Sequence, residues 1–369
     1  MIQFREFLLS EGGNVVIGDQ EAQRIDLTRI NRTEIVSLLV VGLDALNKAF
    51  EKKNGLPLWN DKLFKSREFL SGSAFHFFNT QKINDGEFAR VKSTVGDIDT
   101  QVDGNMAQQI VEFLTSNGGK KFGSMTLIGF KNSASQLISL WKLEKYDLNV
   151  QVDLELVEFG PDGKPSPWAQ FSHSSAWNDL TVGIKGVAHK YLMQALNSRN
   201  VHELVIKSKS ARGKDKQTQS SVMAFSVTHG LRKRLDAVTD ESGKHVHENG
   251  LPTYKELSTA ESKGNTNLGE IYRFYFGHEP SAADLTAMGS FLGLEGLIAK
   301  HITDKKERDT VIDGFINKLW GKGAQGLYRG DKLRDFREKK VMAKHLLQTF
   351  NKDFRAYRAM IRDYYRAYK

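Results

Sequence analysis

Asp97 and Asp99 are separated by one residue in VGDIDTQV, residues 95–102. The alternation predicts a strand, and on a strand side chains two positions apart point the same way. Both carboxylates then share one face and Ile98 takes the other. Two like charges side by side gain nothing in an apolar core. They are useful where a hard divalent cation lies between them, since Mg²⁺ is commonly held by one or two carboxylates together with substrate phosphates. A second alternating segment, NVQVDLELVE at residues 149–158, sets Val150, Val152, Leu154 and Leu156 on one face and Gln151, Asp153 and Glu155 on the other. Read alone, that polar face is an ordinary solvated sheet surface. Beside the first strand it would add a third carboxylate, Asp153, with Glu155 as its competitor. Three clustered carboxylates can hold two metal ions about 3.5–4 Å apart, the arrangement used for in-line displacement at phosphorus.

Upstream, FLSGSAFHFF at residues 69–78 reads as an apolar strand end, a tight turn at Gly72 and a helix start. Backbone N–H groups at such a turn suit a phosphate, glycine permits close approach, and the Ser73 hydroxyl can donate to a phosphate oxygen. The plain reading of Gly-Ser is a turn with a helix cap.

The order of these parts resembles the nucleotidyltransferase superfamily, which has the DNA polymerase β-like fold. Its pattern is an apolar residue before Gly-Gly or Gly-Ser, an Asp-x-Asp pair on the next strand, and a third carboxylate on a later strand. Leu70 and Ser71 leading into Gly72 and Ser73, then Asp97 and Asp99, then Asp153, match it. The resemblance covers residues 66–160. It implies that Gly72 and Ser73 touch nucleotide phosphates and that the three aspartates hold two Mg²⁺ or Mn²⁺ ions and act as the catalytic residues. It further implies that Lys185, in TVGIKGVAHKYLMQAL, pairs with the triphosphate. The implied activity is metal-dependent transfer of a nucleoside monophosphate from an NTP to an acceptor hydroxyl. One departure is the 24-residue step from Ser73 to Asp97, which holds an insertion, NTQKINDGEFARVKST. The general character of the chain is also similar to nucleotidyltransferase-like proteins of large tailed bacteriophages, which act in the host cytoplasm.

The elements that must position this site come from 369 residues, enough for two or three domains. The expected fold class is α+β: a small mixed β-sheet nucleotidyltransferase core over residues 1–165, then a mainly helical, basic C-terminal part. Strands are expected at residues 88–103, 124–130 and around a turn near 145–148, and a helix from Thr33 to a stop at Gly55. Residues 166–320 read as mainly helical with a polar insertion near 235–268, and 321–369 as a basic helical tail. Single helices are expected over DLTVGIKGVAHKYLMQALNSR and AADLTAMGSFLGLEGLIAKHI.

Charge points to a partner. Residues 321–369 hold 14 Lys+Arg and five Asp+Glu, a surplus equal to the whole net charge of +9. A second basic cluster runs through Lys207, Lys209, Arg212, Lys214 and Lys216 around Asp215. A neutral body with basic extensions suits a polyanion such as RNA or DNA. In the tail, Phe354, Tyr357, Ile361, Tyr364 and Tyr368 recur at helical spacing beside a stripe of Arg355, Arg358, Arg362 and Arg366. The arginines would contact phosphates, and the aromatics would dock on the body or stack on bases. The competing reading is a non-catalytic nucleic-acid-binding or structural protein with a degenerate fold of the same kind.

Several chemistries drop out. Without cysteine there is no disulfide, thiol nucleophile, Cys-ligated zinc or iron–sulfur cluster. P-loop and dinucleotide-binding glycine motifs are absent, as is a Gly-x-Ser-x-Gly elbow. His245-x-His247 has no evident third ligand. The opening MIQFREFLLSEGG has no signal-like apolar region, and no apolar run is long enough to span a bilayer, so a cytoplasmic protein without a membrane partner is expected.

Overall fold

The computed structural model describes residues 15–133, 135–186, 188–207, 216–258, 260–324, 326–327 and 332–368. The chain is α+β and divides into two compact units, Met1–Trp177 and Asn178–Lys369.

The first unit begins with short strands β1 (Val16–Ile17), β2 (Gln20–Glu21) and β3 (Ile25–Asp26). Helix α1 (Arg32–Asn54) follows; the Asn31 side chain caps it by accepting from the Glu34 amide, and Gly55 ends it in the left-handed region. Its Ile35, Leu39, Leu43, Leu46 and Phe50 recur one turn apart and are fully buried. Gly42 lets this helix lie directly on the sheet, since a Cβ there would stand 2.5 Å from the Met125 side chain. Next come α2 (Asp61–Ser66), α3 (Gly72–Phe78), α4 (Asp85–Val91), β4 (Thr94–Val95), β5 (Asp97–Asp103) and α5 (Ala107–Ser116). The expected strand at residues 88–103 thus starts late, because Asn84 caps a helix that continues to Val91. The unit closes with β6 (Lys121–Phe122), β7 (Met125–Asn132), β8 (Gln136–Leu143), β9 (Leu148–Val157) and α6 (Pro167–Ser172).

The main sheet has the order β5-β9-β8-β7-β6, with β5 and β9 parallel and the other pairs antiparallel. One face carries Ile98, Val102, Val150, Val152 and Leu154 into a core shared with α1, α5 and the aromatic group Trp59, Phe64 and Phe69. Each of these side chains contributes about 1.5–3 kcal/mol by leaving water. The unit extends to residue 177 rather than 165. Ala169 accepts a hydrogen bond from the Gln101 side chain, Ser175 accepts one from His76, and the Trp177 ring stacks on Phe88.

The second unit adds strands to the helices expected over residues 166–320. After α7 (Trp177–Thr181) and α8 (Ala188–Leu196), the described residues between 201 and 265 hold eight strands: β10 (Val201–Lys207), β11 (Lys216–Ser221), β12 (Met223–Ser226), β13 (Gly230–Lys233), β14 (Leu235–Ala237), β15 (His247–Glu248), β16 (Leu251–Glu256) and β17 (Gly264–Asn265). They form a sheet of order β11-β10-β16-β14 with β15 paired to β16, and a sheet of order β12-β13-β17. Among the described residues, Leu204, Ile206 and Leu235 of the former make a small buried cluster. Strands such as KQTQSS are polar on both faces, so alternation could not announce them.

Helices α9 (Leu268–Phe276), α10 (Ala282–Met288), α11 (Phe291–His301), α12 (Lys305–Trp320), α13 (Lys332–Thr349) and α14 (Arg358–Tyr368) complete the chain. Both long helices expected from sequence are broken. Gly183 takes a positive φ between α7 and α8. The buried Asp179 carboxylate accepts from the Phe291 and Leu292 amides and starts α11 afresh. Among the described residues, no helix is long and apolar enough to cross a membrane.

Candidate functional site

The register of β5 on β9 sets Asp99 opposite Asp153 and Asp97 opposite Gln151. Asp97, Asp99 and Asp153 each present an oxygen within 4.8 Å of the others, and among the described residues they are the group of three or more acidic or imidazole side chains able to hold a metal ion. Asp153 is buried; the other two are partly open. The Gln151 amide donates to both Asp153 oxygens, at 2.9 and 3.0 Å, while its own oxygen accepts from the Val15 amide at 3.3 Å. Gln151 therefore fixes the orientation of the third carboxylate, a role that only its place two residues earlier on the same face hinted at.

The cluster is electrostatically strained. Burial, then the charge of Asp97, pushes the Asp153 carboxyl up to about 8 against the pull of Gln151. Asp99 is held well above the usual carboxylate range by burial, followed by Asp97, Glu155 and Asp153, with Lys92 opposing. Such a group takes up protons or a cation in place of mutual repulsion.

The Gly-Ser turn lies against this cluster. Leu70 bridges to Thr100, the Ser71 amide donates to the Asp99 carbonyl at 3.1 Å, and the Gln101 amide donates to the Phe69 carbonyl at 2.7 Å. The segment thus leaves the open edge of β5 beside Asp99. Gly72 has φ +55°, and a Cβ there would stand 3.1 Å from Asp99 Oδ2, so both conformation and space favour glycine. Its amide donates to the His173 carbonyl at 3.0 Å. Ser73 Oγ accepts from Lys92 Nζ at 2.5 Å.

Ser71 departs from the plain capping reading. It stands at the start of α3 without a side-chain cap bond, and its hydroxyl donates to Glu155 Oε2 at 2.7 Å. The other Glu155 oxygen is 3.6 Å from His173 Nε2. Glu155, the sequence competitor of Asp153, is therefore engaged by Ser71 and His173 and adds its charge to the field at Asp99. In the sequence Ser71 reads only as the lead into Gly72 and Lys92 only as part of the insertion.

The other candidates lie in the second unit. Lys185 is in the turn before α8, not on a helix, with its ammonium 3.8 Å from Glu338. The aromatic side of the tail docks: Phe354 meets Trp320 edge-on, the Tyr357 hydroxyl donates to Asp313 at 2.6 Å, and Ile361 and Tyr364 are buried. Arg355, Arg358, Arg362 and Arg366 are all exposed. Arg355 is 4.0 Å from Asp353 and Arg362 is 3.4 Å from Asp363. In the basic cluster, Lys207 pairs with Glu248 at 2.9 Å. Lys209, Arg212, Lys214, Asp215 and the Lys216 side chain fall outside the described residues, as do the Tyr368 side chain and the opening MIQFREFLLSEGG. His245 is bonded to the Thr253 carbonyl, which accounts for its place without a metal.

No protein-family model matches this chain, and no curated protein matches it at a significant level.

Proposed function

We propose that the protein is a divalent-cation-dependent nucleotidyltransferase that moves a nucleoside monophosphate from a nucleoside triphosphate to an acceptor hydroxyl. The observation that carries this reading is the convergence of Asp97, Asp99 and Asp153 with Gly72 and Ser73 beside the start of β5. The donor set fits Mg²⁺ or Mn²⁺, because three clustered carboxylates supply the hard oxygen ligands such ions take. Two bound ions would activate the attacking hydroxyl and steady the charge of the transferring phosphoryl group.

The chain's own residues supply the rest. The three aspartates hold the ions, and Gln151 keeps Asp153 in its ligating orientation. Gly72 leaves room for phosphate oxygens against the cluster, and the Ser73 hydroxyl donates to one of them. The acceptor oxygen forms a bond to the α-phosphorus as the α–β bridging bond breaks, releasing pyrophosphate and the hydroxyl proton. The exposed arginines at 355, 358, 362 and 366 support a nucleic-acid acceptor, since their aromatic neighbours dock inward and leave the charges facing water.

The test is to incubate the full chain with each α-³²P-labelled NTP, Mg²⁺ or Mn²⁺ and total RNA, following pyrophosphate release and label transfer. Cation-dependent transfer is expected, lost in Asp97→Ala/Asp99→Ala while folding and RNA binding persist. Undiminished turnover in that double variant would refute the site. RNA binding with no transfer from any NTP would favour a non-catalytic binding protein.

A further inference from the structure

We infer that Lys92 and the Ser73 hydroxyl form a binding pair for the distal phosphates of an ion-bound polyphosphate, with Lys92 delivered to the site by the segment that lengthens the step from Ser73 to Asp97. The inference rests on the transferase reading for its nucleotide, but not for the phosphate chemistry.

The geometry is built rather than incidental. Lys92 follows the last residue of α4, and its amide donates to the Phe88 carbonyl at 2.8 Å. Helix α4 is clamped to α3 through the fully buried Arg32. That guanidinium donates to the His76 and Phe77 carbonyls at the end of α3, to the Ile83 carbonyl before α4, and lies 3.5 Å from Asp85. Phe88, also fully buried, packs against the rings of Phe77 and Trp177. Two short helices far from independently stable become one rigid piece. Its open side presents Ser73 from α3 and Lys92 from α4, joined at 2.5 Å.

The chemistry of the pair complements that of the carboxylates. An ammonium and a hydroxyl cannot ligate a cation as a carboxylate does, yet they sit beside the cluster, with the charge of Lys92 opposing that of its neighbours at Asp99. A cation-bound polyphosphate carries both signs. Its metal would go to Asp97, Asp99 and Asp153, and its phosphate oxygens would meet Lys92 and Ser73, next to the space left by Gly72. Lysine is suited to this task as a compact point charge with three donors. The apparent misfit in the spacing is then the means by which a cation reaches the phosphates.

Titration calorimetry on the full chain tests this with four probes: Mn²⁺ alone, Mn²⁺ with inorganic triphosphate, Mn²⁺ with an α,β-methylene nucleoside triphosphate, and Mn²⁺ with the matching monophosphate. Lys92→Gln is expected to weaken both triphosphate probes by about tenfold or more, as loss of a charged hydrogen bond does, with Mn²⁺ alone and the monophosphate changed by less than about twofold. Lys92→Arg should keep most of the affinity. Should Lys92→Gln fail to fold, Ser73→Ala carries the test, with a loss of about threefold confined to the triphosphates. Unchanged triphosphate affinity in Lys92→Gln overturns the inference. An equal loss with all four probes also overturns it, because Lys92 would then act only through Asp99. Wild-type protein that binds no triphosphate probe overturns it too. Inorganic triphosphate bound through Lys92 in a protein that transfers no label would uphold the pair and reject the transferase.

Discussion

The first unit gathers Asp97 and Asp99, both partly open, around the buried Asp153, and the second buries Asp335, Lys339 and Tyr364. Both groups place charge where water is scarce, and they are built on opposite terms. In the second, Lys339 Nζ lies 3.6 Å from Asp335 and donates to the Leu319 carbonyl at 2.8 Å and to the Tyr364 hydroxyl at 2.7 Å. The Tyr364 hydroxyl in turn donates to Asp335 at 3.0 Å, and the Leu327 amide donates to the same carboxylate. Opposite charges are paired, donors meet acceptors, and α14 is pinned to α13. In the first unit the charges are alike, and the main donor is one neutral amide, Gln151. A cluster that serves the fold is balanced from within. One left out of balance costs stability, and such clusters concentrate at sites that bind or react.

The largest effect expected is from unbalancing the second group. Lys339→Met leaves Asp335 buried without its partner and should lower unfolding stability by about 3–5 kcal/mol. Adding Asp335→Asn to it should recover much of that loss, because no charge remains to be compensated. Urea melts of the three proteins measure this; equal stability of Lys339→Met and wild type would show that the pair holds nothing together.

A smaller effect of opposite sign is expected in the first group. Asp153→Asn removes repulsion and should raise the melting temperature of the cation-free protein by about 3 °C. Saturating Mg²⁺ should stabilise wild type by about 2.7 kcal/mol at a hundredfold excess over its dissociation constant, and leave Asp153→Asn unmoved. If Mg²⁺ stabilises both proteins equally, the cluster is not its site.

The subtlest contrast lies in pH. Asp153 is raised from 3.8 to about 8 in the folded chain, so the folded chain holds the extra proton between those values. Its contribution is present below about pH 4 and fades as pH rises towards 8. Burial lowers Lys339 from 10.5 to about 8 despite Asp335, so its cost persists below pH 8 and is relieved as pH rises towards 10.5. The stability of wild type relative to Asp153→Asn should therefore fall between pH 4 and 8. Relative to Lys339→Met it should rise between pH 8 and 10.5. Parallel curves in either window would remove that group from the account.

The two units also differ in how far they could be read. In the first, the periods of α1, β5 and β9 were plain, and the three aspartates and Gly72-Ser73 stood out by type and spacing. In the second, β14 to β17 passed for a polar insertion and β10 to β13 went unread, because short strands with a small buried cluster show little alternation. The docking of Ile361 and Tyr364 was visible as a stripe, but the identity of their partners was not.

Alternation and helical period are set by rules only a few residues long, so the sequence by itself determined that Asp97 and Asp99 share a face and that Asp153 lies on a strand with an apolar back. Pairing β5 with β9 in parallel joins residues more than fifty positions apart, and only packing of the intervening helix and strands chose the register that sets Asp99 opposite Asp153. The same holds for Gln151 on Asp153, Ser71 on Glu155 and Lys92 on Ser73. Each joins a side chain to one whose distance in space, not in sequence, the folded core decides.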